Sequence, residues 1–417
     1  MELTLLGTGA PAGLPRPDCP CAACAAAVGD EARAATALLI DGALLIDLTP
    51  GPAFAAARAG TSLAGVRQVL LSHPHDGPAL EVPAGLPTPG RVADGRELAL
   101  LDGHRVKAIA VDIPGTGYEI TGTEGERLLY LPPGGAPAGL DNGHGHGQGG
   151  GPYDMVLLDV LERPDGLARL RATGAVDAAT DVVAVHIDHG APPGPELHRR
   201  LAAAGARTVP DGASLVVGEY HAVPDLPRRT LVLGGARSGK SAEAERRLAS
   251  FPDVVYVATG GTREGDTEWA ERISLHRERR PATWRTVETC DLVPLLETGG
   301  PDHAAPAEPG ELSPLLIDCL ALWLTGVMDE VGAWDDEKWA ASGRRALRER
   351  TDALVAAVRA ARRPVVAVSN EVGSGVVPAT AAGRRFRDEL GRLNAAFGAE
   401  CEQVVLVVAG QAVALRG

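Results

Sequence analysis

Short apolar runs that end in glycine, aspartate or histidine set the rhythm of the chain. In the first half they are "LTLLGTG", the pair within "TALLIDGALLIDL", then "VRQVLLSHPHDG", "YDMVLLDV" and "DVVAVHIDHG". Each is rich in Leu and Val and bounded by turn formers, which predicts strands. Asp41 and Gly42 split one run in two, and both tolerate positive φ, so a hairpin is expected there. Helical stretches such as "GPELHRRLAAAG" lie between the runs, and the first half reads as a layered α/β domain.

The second half alternates more regularly. "RTLVLGG", "DVVYVATGG", "SPLLIDCLALWL", "RPVVAVSNEVG" and "EQVVLVVAG" are expected strands. "SAEAERRLAS", "DTEWAERISLHRERR", "EKWAASGRRALRERTDALVAAVRAA" and "AAGRRFRDELGRLNAAFG" are expected helices between them. Near-continuous apolar strands separated by helices predict a mostly parallel sheet covered on both faces. Ligands of such sheets bind beyond the C-terminal strand ends. Two Gly/Pro-rich tracts, from Pro132 and from Glu297, fit neither period and are expected as surface loops. The Pro-rich "VPDLPRR" divides the chain into a first domain at 1–223, a linker at 224–229 and a second domain at 230–417.

Composition narrows the function. A length of 417 residues suits two domains. The formal net charge of −14 argues against a nucleic-acid partner. No run approaches the ~20 apolar residues of a membrane span. The opening "MELTLLGTGA" lacks a basic start and a long apolar core, so no signal peptide and a cytoplasmic location are expected. Three of the six cysteines crowd into "CPCAAC", which in such a compartment reads as metal binding before disulfide. Cys19, Cys21 and Cys24 would give zinc three soft ligands and leave a fourth to be found.

The sharpest motif is Gly234, Gly235, Ala236, Arg237, Ser238, Gly239, Lys240 and Ser241, between an expected strand and an expected helix. Glycines let backbone N–H groups face phosphates, and the helix N-terminus adds a favourable dipole. Lys240 would reach the β/γ-phosphates and the Ser241 hydroxyl would hold Mg²⁺. Asp318, closing the run "PLLID", has the form of a second magnesium partner. On a helix Trp269, Ile273 and His276 share a face, and Arg277, Arg279 and Arg280 follow at once. Those residues alone leave two readings: a nucleophile beside phosphate-binding guanidiniums, or a partly buried histidine on a charged helix.

The order of "GGARSGKS", "VYVATGG", R-I-x-x-H with "RRPATWRTVE", "LLIDCLALWLT" and "VSNEVGSGVVP" resembles the bifunctional adenosylcobinamide kinase/adenosylcobinamide-phosphate guanylyltransferase family. The resemblance covers the chain from about Arg229 onward. It implies a P-loop NTPase-like fold, often oligomeric, that phosphorylates adenosylcobinamide with ATP or GTP. The family then transfers GMP from GTP, through a guanylylated histidine, onto adenosylcobinamide phosphate. By motif His276 would be the nucleophile, and Gly234 to Ser241 would hold the triphosphate. Thr259 and Gly260 would line the nucleotide site, Arg277, Glu278, Arg279, Arg280 and Glu288 would bind guanine nucleotide, and Asp318 the metal-bound phosphates. The "SNEVGSGVVP" loop, with Asn370 and Glu371, is expected at the same edge.

The first half resembles the metallo-β-lactamase fold, an αββα sandwich, and most closely its phosphodiesterase branch with a cysteine-rich insert. The family's H-x-H-x-D-H motif is damaged here: His73 and His75 match, but Gly77 and Pro78 stand at the Asp and His positions, and Asp76 comes one residue early. His186 and His189 could add a ligand. In the resembling branch a histidine near the domain's end completes the cysteine site, and His221 stands there. A metal-dependent phosphodiesterase and a non-catalytic GTP-binding protein remain the alternative functions.

Overall fold

Asp41 and Gly42 turn the chain with φ of 44° and 65°, as their residue types allow. The two apolar runs they separate, β2 (Ala37–Ile40) and β3 (Leu44–Ile46), pair antiparallel. The computed structural model describes residues 1–74, 82–100, 102–138, 151–219, 227–261, 280–297 and 313–417. Both Gly/Pro-rich tracts lie largely outside these residues. Two compact units result, Met1–Asp225 with Ser250–Pro252, and Leu226–Ala249 with Asp253–Gly417.

In the first unit β1 (Glu2–Gly7), β4 (Gln68–Leu70) and β11 (Ser214–Val216) join the hairpin in a sheet ordered β11-β1-β2-β3-β4. A second sheet holds β5 (Glu97–Ala99), β6 (Arg105–Ile109), β7 (Gly117–Thr121), β8 (Arg127–Tyr130), β9 (Met155–Leu158) and β10 (Asp181–Ala184), ordered β10-β9-β8-β7-β6-β5. Alternation along each strand sends one set of side chains inward, where Leu3, Leu5, Leu38 and Ile40 meet Val106, Ile120, Leu128 and Leu157. On the outer side of the first sheet Leu6, Leu39 and Leu45 cover Ala56 of α2 (Pro52–Arg58). Outside the second, Val156, Leu158 and Val182 cover Leu167 of α3 (Pro164–Ala172) and Leu201 of α4 (Pro195–Ala203), with Cys24 of α1 (Ala22–Ala26) in the same cluster. Helix, sheet, sheet, helix is the expected αββα layering.

The second unit is one sheet of β12 (Arg229–Gly234), β13 (Val255–Ala258), β14 (Arg285–Glu288), β15 (Leu315–Asp318), β16 (Val365–Asn370), β17 (Gln403–Val408) and β18 (Gln411–Arg416). Their order is β14-β13-β15-β16-β12-β17-β18. All pairings are parallel except β17 with β18. Successive residues Leu315, Leu316 and Ile317 are all fully buried, so both faces are covered, as a parallel sheet requires. Helix α5 (Lys240–Leu248) follows β12 directly.

One expectation fails. "SPLLIDCLALWL" is not a single strand: β15 stops at Asp318 and Leu320–Glu330 is a helix. Its buried Leu320, Trp323, Leu324, Val327 and Met328 follow helical spacing, which a continuous apolar run conceals. The edge strands β14 and β18 had no signal either, because most of their residues are exposed. Among the described residues no helix is long and apolar enough to cross a membrane.

The burial pattern predicts a sharp asymmetry. Leu231→Ala, at a fully buried site in β12, should lower stability by about 2–5 kcal/mol. Leu415→Ser, on the exposed edge strand, should change it by less than about 0.5 kcal/mol. Urea denaturation of the two variants checks this.

Candidate functional site

The parallel register lines up the C-terminal strand ends of the second unit. Ala258 sits opposite Asp318, Asp318 opposite Val368, and Gly234 opposite Asn370. The phosphate-type loop leaves β12 at Gly234. A Cβ there would lie 2.4 Å from Ser238 Oγ and 2.8 Å from Val407 O, so no larger residue fits. Arg237 and Gly239 take positive φ, 56° and 94°, which curls the loop onto the start of α5. Lys240 is buried, and its Nζ donates to Gly235 O at 3.2 Å, folding the ammonium back over the loop. Ser241 is buried beside it. Backbone donors, a helix N-terminus, an ammonium and a hydroxyl thus converge, the set an oligophosphate needs.

Asp318 ends β15, and the Tyr256 hydroxyl donates to its Oδ2 at 2.9 Å. The Arg280 guanidinium stacks 3.7 Å from the centroid of the Tyr256 ring and donates to Thr286 Oγ1. Glu288 closes β14 opposite Ala258, and Gly260 follows β13. Thr259 behaves differently from expectation. It is 3 % exposed, and its hydroxyl accepts from Cys319 N at 2.9 Å and donates to Cys319 O at 2.7 Å. That hydroxyl fixes the peptide after Asp318 rather than facing a ligand. His276, Arg277, Glu278 and Arg279 lie outside the described residues.

The "SNEVG" loop is tied to the same edge. Glu371 N donates to Gly234 O at 3.1 Å, and the Glu371 carboxylate caps its own turn by accepting from Gly373 N and Ser374 N. Behind it Asn394, from the helix Ala381–Ala399, accepts from Ser369 Oγ at 2.6 Å and donates to Asn370 O at 3.0 Å. Sequence reasoning missed Tyr256, whose ring reads as one more apolar strand residue, and Asn394, which reads as a helix surface residue.

In the first unit Cys19, Cys21, Cys24 and His189 bring one donor atom each to within 4.8 Å of one another. His189 Nδ1 lies 3.2 Å from Cys19 Sγ and 3.9 Å from Cys21 Sγ. A salt bridge from Arg16 holds Asp188, whose Oδ1 accepts from His189 N at 2.7 Å. Cys21 caps α1, and the backbone donor Cys24 N–H lowers its thiol to about 7, favouring the thiolate that a metal needs. Three sulfurs and one imidazole fit a four-coordinate zinc ion. His221, the expected fourth ligand, lies outside the described residues, and His189 occupies that role in the observed cluster.

The expected metal-motif region is different. Asp47, fully buried, accepts from Ser72 N at 2.8 Å, Ser72 Oγ at 2.6 Å and Tyr130 Oη at 2.7 Å. His73 Nδ1 sits 2.9 Å from Ser72 Oγ. His186 is buried with Nε2 against Leu131 O, and burial lowers it to about 4. Its neighbour His189 has gone to the cysteines. His75, Asp76, Gly77 and Pro78 lie outside the described residues. Among the described residues no second group of three metal-type ligands assembles.

Residues 230–415 match the family described as cobinamide kinase / cobinamide phosphate guanyltransferase. The bifunctional adenosylcobalamin biosynthesis protein CobP of Pseudomonas aeruginosa is 42% identical over 192 residues, covering 45% of this chain and 98% of its own. The corresponding CobU of Salmonella typhimurium is 38% identical over 190 residues, again 45% of this chain and 98% of its own. The crystal structure of a new diphosphatase from the PhnP family shares 20% identity, covers 52% of this chain and 98% of its own, and has a TM-score of 0.39.

Thr259 gives a direct test of the geometry. Thr259→Val keeps the shape but leaves the buried Cys319 N–H without its acceptor, which should cost about 1–3 kcal/mol. Thr259→Ser keeps the hydroxyl and should recover most of that. Thermal and urea unfolding of the pair checks it.

Proposed function

The chain belongs to the cobinamide kinase/cobinamide phosphate guanylyltransferase family through residues 230–415, and we propose that its one nucleotide loop serves two successive transfers onto a corrinoid. The observation that carries this is the Gly234–Ser241 loop, closed by Lys240 and facing Asp318 and Asn370 at a single sheet edge. The identity extends over almost the whole length of the bifunctional relatives.

In the first step the loop N–H groups and Lys240 hold the β/γ-phosphates of ATP or GTP. The γ-phosphoryl passes in line to the hydroxyl of adenosylcobinamide, and the nucleoside diphosphate leaves. Ser241 and Asp318 would hold Mg²⁺, which supplies charge neutralisation on the phosphates when bound. In the second step neutral His276 attacks the α-phosphorus of GTP. A P–N bond forms, the bond to pyrophosphate breaks, and the imidazole proton is lost. The phosphate of adenosylcobinamide phosphate then attacks, releasing His276 and giving adenosylcobinamide-GDP. The covalent route splits one difficult displacement into two. Arg277, Arg279 and Arg280 match the charge of the departing phosphates, and Glu278 and Glu288 are assigned with them to the guanine nucleotide. Thr259 and Gly260 shape the wall after β13. The same reading makes the protein a cytoplasmic homo-oligomer with no nucleic-acid partner.

Protein incubated with α-labelled GTP should carry a GMP label that survives alkali and is lost in acid, as a phosphoramidate is. His276→Ala should abolish it. Undiminished label in that variant contradicts the mechanism, and GTP binding without label favours a non-catalytic nucleotide-binding protein.

The first unit contributes a structural zinc site in this reading. Metal analysis should find one zinc per chain, reduced in Cys21→Ser and in His189→Ala. Retention of full zinc by His189→Ala would return the fourth position to His221.

A further inference from the structure

Strands β13 and β15 run parallel with Tyr256 opposite Leu316 and Ala258 opposite Asp318. Alternate residues share a face, so the Tyr256 ring reaches diagonally to Asp318 on the neighbouring strand. Its hydroxyl donates to Asp318 Oδ2 at 2.9 Å. Tyr256 is 5 % exposed. Burial, with the Asp318 charge adding to it, pushes the phenol well above its ordinary range, so the hydroxyl remains a donor near neutral pH. The other contact uses different chemistry: the ring's π face carries the Arg280 guanidinium at 3.7 Å from its centroid. Arg280 is held further by its donation to Thr286 Oγ1 at 3.3 Å. Tyr256 therefore touches both a carboxylate at the strand end and the last arginine of the run that follows His276.

We propose that Tyr256 is a positioning residue that sets the Asp318 carboxylate through its hydroxyl and the Arg280 guanidinium through its ring, joining the metal side of the nucleotide site to its arginine side. The inference rests on the roles given above to Asp318 and Arg280. The two contacts are chemically separable. Removing the hydroxyl alone takes away the Asp318 contact and keeps the stack. Removing the ring takes away both contacts. Thr259, directly after β13, bonds the Cys319 backbone, while Tyr256, within β13, contacts the Asp318 carboxylate.

The test is the affinity for GTP, measured by isothermal titration at limiting and at saturating Mg²⁺, with circular dichroism as the check on folding. Tyr256→Phe should weaken GTP binding by about tenfold at limiting Mg²⁺, the scale of one charge-assisted hydrogen bond, and recover at saturating Mg²⁺. Tyr256→Leu should show that shift and keep a further loss of about fivefold at saturating Mg²⁺, the scale of a lost cation–π contact. Arg280→Gln should reproduce only the second loss. Tyr256→Phe and Tyr256→Leu behaving alike, or Tyr256→Phe leaving the Mg²⁺ dependence unchanged, would overturn the proposal. If Tyr256→Leu does not fold, Tyr256→Phe and Arg280→Gln decide it, since each must affect only its own side. Absence of covalent label in the wild type would strike the transfer mechanism and leave these binding shifts standing.

Discussion

A single threonine side chain holds the strand end around which the site is arranged. Thr259 Oγ1 accepts from Cys319 N and Thr259 N donates to Asp318 O, so both groups of the peptide after Asp318 are bonded, while the same hydroxyl donates to Cys319 O one peptide further on. Backbone groups buried beyond the last ladder bond need such partners. With that peptide fixed, Asp318 projects at the edge beside β16. There Glu371 N bonds Gly234 O and ties the neighbouring loop to the start of the phosphate loop. Asn394 secures the same strand from behind through Ser369 and Asn370. The C-terminal strand ends are thus laced to one another at the edge where the Gly234–Ser241 loop begins.

How much of this could be read from residue order differs by kind. The Gly234–Ser241 loop was legible because backbone geometry dictates it: Gly234 has no room for a Cβ and Gly239 needs its positive φ. The Asp41-Gly42 hairpin was legible for the same reason. Helix Leu320–Glu330 was not, since a buried helix and a buried strand look alike in a continuous apolar run. The inward turn of Thr259 and the reach of Tyr256 were hidden too. Each is defined by a partner at or just past the end of β15, which is distant in sequence and adjacent only after the sheet forms. His189 belongs to this class: Ala10 N bonds Ile187 O, and that contact brings the "HIDHG" loop onto the N-terminal cysteines.

The two units use polar side chains in opposite ways. In the second they converge on an open strand edge. In the first Asp47 is fully buried and accepts from two hydroxyls and a backbone N–H, while His186 is held neutral by burial. Ser72 and Tyr130 supply hydrogen-bond donors to that buried carboxylate. Among the described residues the first unit gathers a Cys₃His cluster at its N-terminal loop, a ligand set suited to a closed structural metal site.

Two transfers served by one loop would both leave their mark on the corrinoid product. Mass spectrometry of adenosylcobinamide incubated with the protein, GTP and Mg²⁺ should show first the addition of one phosphate and then of one GMP, with pyrophosphate released only in the second step. Hydrolysis of GTP to GDP with the corrinoid mass unchanged would contradict it.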